Sequence, residues 1–316
     1  MSADFLPPDV KLLTEPASIH MVRQIQRCII DLVLPKRAVE QQVAIATAYV
    51  CAGRTSNLNL ADRPDSELPA SPILCLPGFD SSLLEFRYLL PLLASHTEAW
   101  AVDLLGFGFT TSDPEVAINP CTIRQHLYAV WKRLINQPVT LVGASLGGAI
   151  AIDLALAHPD CVRHLVLIDS IGFSGSFPLG QWLVSPVVDW AAEWLRVRKS
   201  AALTAAAAVP WLNPTWLDMI RCTLLHQAMP GWKESIVSFT QSGGYCYLSS
   251  RICQLQPPTL ILWGDSDDVL GTNDARQFEQ AIDCSQLVWI KSGHAPHLEQ
   301  PQSVAKQIQA FSERMH

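Results

Sequence analysis

The stretch PVTLVGASLGGAIAIDLALAHP, Pro138 to Pro159, decides how this chain is read. Val139 to Val142 is a run of β-formers, and an Ala/Ile/Leu pattern of helical type starts almost directly after it. Between the two stands Ser145, with Gly143 and Gly147 on either side, so a strand passes into a helix without a loop. So sharp a turn brings the residues two before and two after the serine into near contact, and both must be small. Gly148 then lets the helix pack closely on the strand. The turn lifts the serine above the sheet and points the N–H groups of the helix start at a reacting oxygen. A serine hydroxyl is a weak nucleophile unless a base stands beside it. The reading therefore requires a base and an acid to orient it elsewhere in the chain.

Two phosphate-binding readings compete for the same residues. GASLGG joins a strand to a helix, and Asp169 ends the next strand run, as in a dinucleotide-binding turn. That turn needs glycine where Ser145 stands, because the backbone there approaches the pyrophosphate. The sequence has no G-x-x-x-x-G-K-[ST] element either, so no nucleotide cofactor is called for.

Around this turn, short β-rich runs recur: 44–50, 72–76, 99–103, 139–143, 164–169, 259–264 and 286–290. Most are continuously apolar, as expected of strands covered on both faces. Helical patterns lie between them, at Leu83–Ala94, Ile123–Asn136, Ala149–His158 and Ser303–Glu313. The alternation predicts an α/β fold with a doubly wound, mostly parallel sheet and ligands at the carboxyl ends of its strands. From Ile171 to Gln256 the strands stop. This part is Ala/Leu/Trp-rich and holds six of the ten tryptophans, Trp182, Trp190, Trp194, Trp211, Trp216 and Trp232. The expected organisation is an N-terminal helical extension over 1–43, a core over 44–171 and 257–316, and a helical cap over 172–256. In the extension, Val22, Ile25, Ile29 and Val33 recur at helical spacing before Pro35.

Composition narrows the function classes. Of 316 residues 49% are hydrophobic and 16% charged, which predicts a large buried core rather than disorder. A net charge of −7, without a Lys/Arg cluster, argues against a nucleic-acid partner. The nine cysteines are scattered without a C-x-x-C pair, which speaks against zinc ribbons and disulfide frameworks and for a reducing, cytoplasmic setting. The opening MSADFLPPDVKLLTEP lacks a signal-peptide pattern, and no window reaches the roughly 20 apolar residues of a membrane span.

The base is expected far downstream of the serine, with its acid between them. His294 sits on a Gly-flanked turn in KSGHAPHLEQP, and LWGDSDDVLG offers Asp265, Asp267 and Asp268. With the order serine, acid, histidine, the chain resembles the α/β-hydrolase family over most of residues 45–316. The late stretches resemble that family's G-x-x-D and G-H-x-P-x-x-E-x-P signatures. The match implies Asp267, three after Gly264, as the acid, with His294 as base and Glu299 and Pro301 in the second signature. Asp268 stays open as a one-residue register alternative, and Asp169 as an acid on an earlier strand. His297 and Glu299 superficially suggest a metal site. Zinc would want further ligands on a helix, so no metal is expected.

In the family the loop after the third strand run commonly reads His-Gly, whereas here it reads Pro77-Gly78. The oxyanion donors implied by the match are the backbone N–H groups of Phe79 and Leu146. Asp80 is placed before a helix start and away from the site, with Ser82 to Glu85 as a capping box. Phe107 and Phe109, in the stretch DLLGFGFTTSD, and Trp182, Trp211 and Trp216 of the cap are candidates for the pocket wall. Together these imply a serine hydrolase acting on a small apolar or aromatic ester, without cofactor. A carbon–carbon hydrolase, a thioesterase or a non-hydrolytic binding protein on the same scaffold are the alternatives. The wording of PGFDSSLLEFRYLL and DLLGFGFT is similar to hydrolases of cyanobacteria and plastids, which adds pigment or lipid esters to the candidates. The oligomeric state is not legible in the sequence.

Overall fold

The computed structural model describes residues 4–36, 39–53, 71–175, 180–183, 185–209, 211 and 213–315. Its strands are β1 (Gln26–Lys36), β2 (Val39–Ala52), β3 (Ile73–Leu76), β4 (Ala99–Val102), β5 (Val139–Ala144), β6 (Val162–Ile168), β7 (Thr259–Gly264) and β8 (Ser285–Ile290). They form one sheet in the order β1-β2-β4-β3-β5-β6-β7-β8. β1 and β2 pair antiparallel, as do β2 and β4, and every pair from β4 to β8 is parallel. The helices are α1 (Pro16–Gln24), α2 (Leu89–Ala94), α3 (Pro120–Leu134), α4 (Leu146–Ala157), α5 (Val187–Ala207), α6 (Pro214–Cys222), α7 (Trp232–Gln241), α8 (Asn273–Ala281), α9 (Pro296–Glu299) and α10 (Pro301–Arg314).

The continuous apolar runs have their cause in this arrangement. In β5, Val139 and Leu141 enter one hydrophobic cluster while Val142 and Ala144 enter the other, on the opposite face. β7 divides the same way, with Ile261 and Trp263 on one side and Leu260 and Leu262 on the other. Helices cover both faces, so alternation carries no solvent signal in these strands.

The N-terminal expectation needs a correction. Among the described residues Pro8–Leu12 is a 3-10 turn and Pro16–Gln24 an α-helix, but from Gln26 the chain is an edge strand paired with β2 from Gln26↔Tyr49 to Lys36↔Val39. A spacing of four residues fits one face of a strand as well as one face of a helix. Ile29 and Val33 lie on the outer face, 57% and 49% exposed, while Ile30 and Leu32 between them are buried. The β-branched residues Ile29, Ile30 and Val33 favour that outcome. The N-terminal region therefore contributes the first strand of the sheet as well as a helix.

Between β6 and β7 the chain leaves the sheet, and the described residues there form α5, α6, α7 and short 3-10 turns without a strand. One buried link between this insertion and the core is Asp80, which is 3% exposed. Its Oδ1 accepts from His226 Nε2 and Trp232 Nε1, both at 2.8 Å. Its Oδ2 accepts from Gln227 Nε2 at 2.9 Å and lies 2.6 Å from Lys199 Nζ. Burial pushes this carboxyl up, but the His226 hydrogen bond and the Lys199 charge outweigh it and hold the group at about 2. Burial lowers His226 in turn, so its imidazole is neutral and donates through Nε2.

The Asp80 carboxylate is thus taken up by the insertion rather than by a helix N-terminus. The capping box does not form. Asp103 Oδ1 takes the Leu83 N–H at 2.6 Å, and Glu85 turns elsewhere. Asp80→Ala leaves four donors without their acceptor, and a buried charge removed from its partners costs about 3–5 kcal/mol. Urea unfolding of the variant is expected to show a loss of that order, and a loss below about 1 kcal/mol would refute a stabilising role for the Asp80 contacts.

Candidate active site

β5 ends at Ala144 and α4 begins at Leu146, so Ser145 alone makes the turn, at φ 50° and ψ −115°. Positive φ is strained for a side-chain-bearing residue, and here two sets of constraints hold it. The Ser145 N–H donates to the Ile168 carbonyl at 2.9 Å, and its own carbonyl accepts from Gly148 and Ile171 at 3.0 and 3.1 Å. The flanking glycines are required by distance. A Cβ on Gly143 would lie 2.3 Å from the Gly147 carbonyl oxygen, and one on Gly147 would lie 2.1 Å from that of Leu76. A Cβ on Gly148 would meet the Ser170 hydroxyl at 2.1 Å, which is the close helix packing expected there.

His294 arrives on the turn after β8. Its loop is held by Glu299, whose carboxylate accepts the Gly293 N–H at 3.0 Å and the Ala295 N–H at 3.4 Å. The imidazole Nε2 stands 3.3 Å from Ser145 Oγ, and Nδ1 stands 2.9 Å from Asp267 Oδ2. Asp267 is on the turn after β7, where its Oδ1 accepts the N–H groups of Val269 and Leu270 at 2.8 and 3.1 Å. Its side chain is fully buried, which keeps the bond to His294 free of competing water. Asp265 and Asp268 are both exposed, and neither bonds His294. Of the three acids on this turn, Asp267 is the one that meets the imidazole.

Asp169 lies beside this chain of three. One of its oxygens, a carboxylate oxygen of Asp267 and a ring nitrogen of His294 lie within 4.8 Å of one another. Within this group Asp267 already accepts three hydrogen bonds, from Val269, Leu270 and His294. Asp169 Oδ1 accepts the Gly264 N–H at 2.8 Å, and Oδ2 has no partner among the described residues. Burial pushes its carboxyl up. The Gly264 N–H pulls it back in part, the charges of Asp267 and Glu299 push further, and the result is about 8.

This acid is therefore neutral in the folded protein at pH 7 and ionised in the unfolded chain. The stability that its raised value confers is complete below about pH 4 and is lost as pH rises through about 8. Urea melts across that window are expected to show wild type losing stability relative to Asp169→Asn. Parallel curves for the two proteins would contradict it.

The loop before α2 completes the site. Pro77 stands where the family has His, and the N–H of Gly78, the glycine of the pair, donates to Glu85 at 3.2 and 3.3 Å to the two carboxylate oxygens. Ser81 donates its hydroxyl to the same carboxylate. Glu85 thus braces the loop from seven residues downstream, a role hidden in the sequence because it also completes a capping-box pattern. Phe79 lines the cavity, and the Leu146 N–H is in the first turn of α4, outside the helix's own hydrogen-bond ladder.

Ser145 and His294 open onto a cavity of about 590 Å³, within the range of small-molecule sites. Leu195, Ala202, Trp216, Met219 and Ile220 supply its apolar wall, and Arg87, Arg198, Lys199, Glu85 and His297 its polar groups. The proposed wall residues divide. Trp216 lines the cavity, but Trp182 and Trp211 project into solvent at 75% and 86% exposure and are not in the wall. Phe107 and Phe109 are buried and do not line it. Phe107 meets Phe79 edge-on at 5.9 Å and supports it from the core side. An aromatic-rich loop and a tryptophan-rich insertion suggested a wall by composition, yet composition carries no information on which way each ring turns.

His297 is also in the wall. It packs on Phe86 at 5.3 Å with Nε2 3.4 Å from Glu85.

The sequence profile of the alpha/beta hydrolase family matches residues 73–307. The alpha/beta hydrolase domain-containing protein VTE7 of Arabidopsis thaliana is 32% identical over 248 residues, which cover 77% of this chain and 74% of that protein. The 2-hydroxymuconate semialdehyde hydrolase of Pseudomonas sp. strain CF600 is 27% identical over 235 residues, 72% of this chain and 80% of the enzyme. In fold, a thermophilic esterase from Thermogutta terrifontis superposes with a TM-score of 0.69 at 21% identity, over 92% of this chain and 99% of that one. With the sharp strand-to-helix turn at Ser145, the parallel sheet and these matches together, the chain belongs to the alpha/beta hydrolase family.

Proposed function

We propose that this protein is a serine hydrolase that cleaves a carboxylic ester with an apolar or aromatic acyl or alcohol group. The observation that carries the reading is the line Asp267–His294–Ser145, at 2.9 and 3.3 Å, on the floor of a cavity walled by apolar side chains. Asp267 accepts the Nδ1 proton and so leaves the Nε2 lone pair facing Ser145 Oγ. His294 takes the hydroxyl proton as Oγ attacks the ester carbonyl. The negative oxygen is received by the N–H groups of Leu146 and Phe79. Collapse expels the alcohol, which takes its proton from His294. Water then attacks the acyl-enzyme by the same route in reverse and releases the acid. The helical insertion acts as the cap that keeps bulk water from the acyl-enzyme.

The relative from Pseudomonas favours one second reading, hydrolysis of a carbon–carbon bond by the same serine. The cysteine pattern, nine without a pairing scheme, supports action in a reducing compartment such as the cytoplasm. No described helix is long and apolar enough to cross a membrane. The test is a panel of esters varied in acyl length and aromaticity, run beside vinylogous 1,5-diketones and a fluorophosphonate probe. Ester turnover and probe labelling, both lost in Ser145→Ala, are the expected result. Turnover of diketones alone would select the second reading. No turnover and no labelling, together with tight binding of an apolar ligand, would make the protein a binding module.

A further inference from the structure

Helix α5 carries two apolar faces. Val188 and Ala192 are buried against the rest of the protein. Val187, Trp190, Trp194 and Val197 follow at helical spacing on another face. All four are exposed, Trp190 at 69% and Trp194 at 48%. The indoles of Trp182 and Trp211 stand in solvent just before and after this helix, and that of Trp216 is 58% exposed.

This face leads to the active site. Trp190, Trp194, Arg198 and Ala202 form one i, i+4 row along α5, and its last two members line the cavity that holds Ser145. Trp216 belongs to both the exposed set and the cavity wall. The exposed row and the cavity wall are therefore one continuous surface.

The charges on the helix are also arranged. Its acids are both paired, Asp189 with Lys233 at 3.5 Å and Glu193 with Arg196. Asp218 of α6 pairs with Arg221 at 2.8 Å. Arg198 adds a positive charge where the row enters the cavity, 5.5 Å over the Trp194 ring, in a chain of net charge −7. Exposed indoles beside arginine and lysine are the composition that seats a helix in the headgroup layer of a bilayer. A folded protein or a second copy on this face would lie across the cavity mouth. A lipid surface would instead supply the cavity.

We propose that the exposed face of α5 docks on a lipid bilayer with anionic headgroups, and that the enzyme draws a lipid-borne ester from that bilayer into the cavity. The substrate half rests on the esterase reading above, whereas the docking half does not.

Flotation with phosphatidylcholine vesicles, with and without phosphatidylglycerol, tests docking on Ser145→Ala protein and so needs no turnover. Binding is expected, stronger with the anionic lipid and weaker in high salt. The double variant Trp190→Ser/Trp194→Ser is expected to bind about tenfold less or weaker still. Because both side chains are exposed and outside the cavity wall, its melting temperature should match the parent. In the catalytically intact background, that double variant should hydrolyse a short soluble ester at the parental rate but lose turnover of the same ester carried on a long chain in vesicles. Absence of flotation, or flotation equal in the double variant, overturns the proposal. So does a concentration-dependent dimer that the double variant abolishes, since a second copy would then cover the face.

Discussion

Replacing Ser145 by alanine is expected to lower kcat for the best ester of the panel by about 10⁶-fold while leaving KM within a few-fold. The substitution removes one oxygen and nothing else. Alanine meets the same strain at φ 50° as serine does, and the bonds holding the turn run through the backbone, so they survive. Melting temperature should therefore stay near wild type. What remains is the rate given by the donors at Phe79 and Leu146 acting on bound ester and water, about 10³–10⁴-fold over solution. Steady-state kinetics and a melting curve check this together. A residual kcat within tenfold of wild type, in an intact fold, would mean that Ser145 is not the nucleophile.

The second large effect is expected from Asp267→Asn, a drop in kcat of about 10⁴-fold. The carboxylate accepts the Nδ1 proton of His294, whereas an amide in the same place can present an N–H instead. The imidazole would then carry its proton on Nε2, facing Ser145 Oγ, and would have no lone pair there to accept the hydroxyl proton. The same change at Asp268, which is exposed, should alter kcat less than twofold. The pair of variants is a control on the register. If Asp267→Asn keeps a tenth of the activity, the orienting acid lies elsewhere. Asp169, a carboxyl in the same cluster, is then the first residue to replace.

Both predictions use residues that are legible in the chain itself. Ser145 is legible because its turn imposes small neighbours at fixed spacing, and those glycines are local in sequence. His294 is legible for a related reason, since Gly293 and Glu299 shape its loop from nearby positions. Asp267 is reached only by resemblance, since three acids crowd that turn and a shift of one residue reverses which way a side chain points. Glu85 is visible in the sequence, but its pattern misleads. It fits a capping box, and only the fold shows that Gly78 and Ser81 are its partners.

The sequence by itself determined the alternation of strand and helix, the sharp turn at Ser145 and the order of the acid and histidine that meet it. All of these are encoded in short spacings that the backbone geometry enforces locally. Tertiary structure decided the rest. It made Gln26–Lys36 a strand, because a four-residue spacing suits either periodicity and only pairing with β2 selects one. It sent Asp80 to His226, Gln227 and Trp232, about 150 residues away, through contacts that no local pattern announces. It also turned Trp216 into the cavity and Trp182 and Trp211 into solvent. The direction of a side chain follows from what packs against its helix, and that is set by the whole fold.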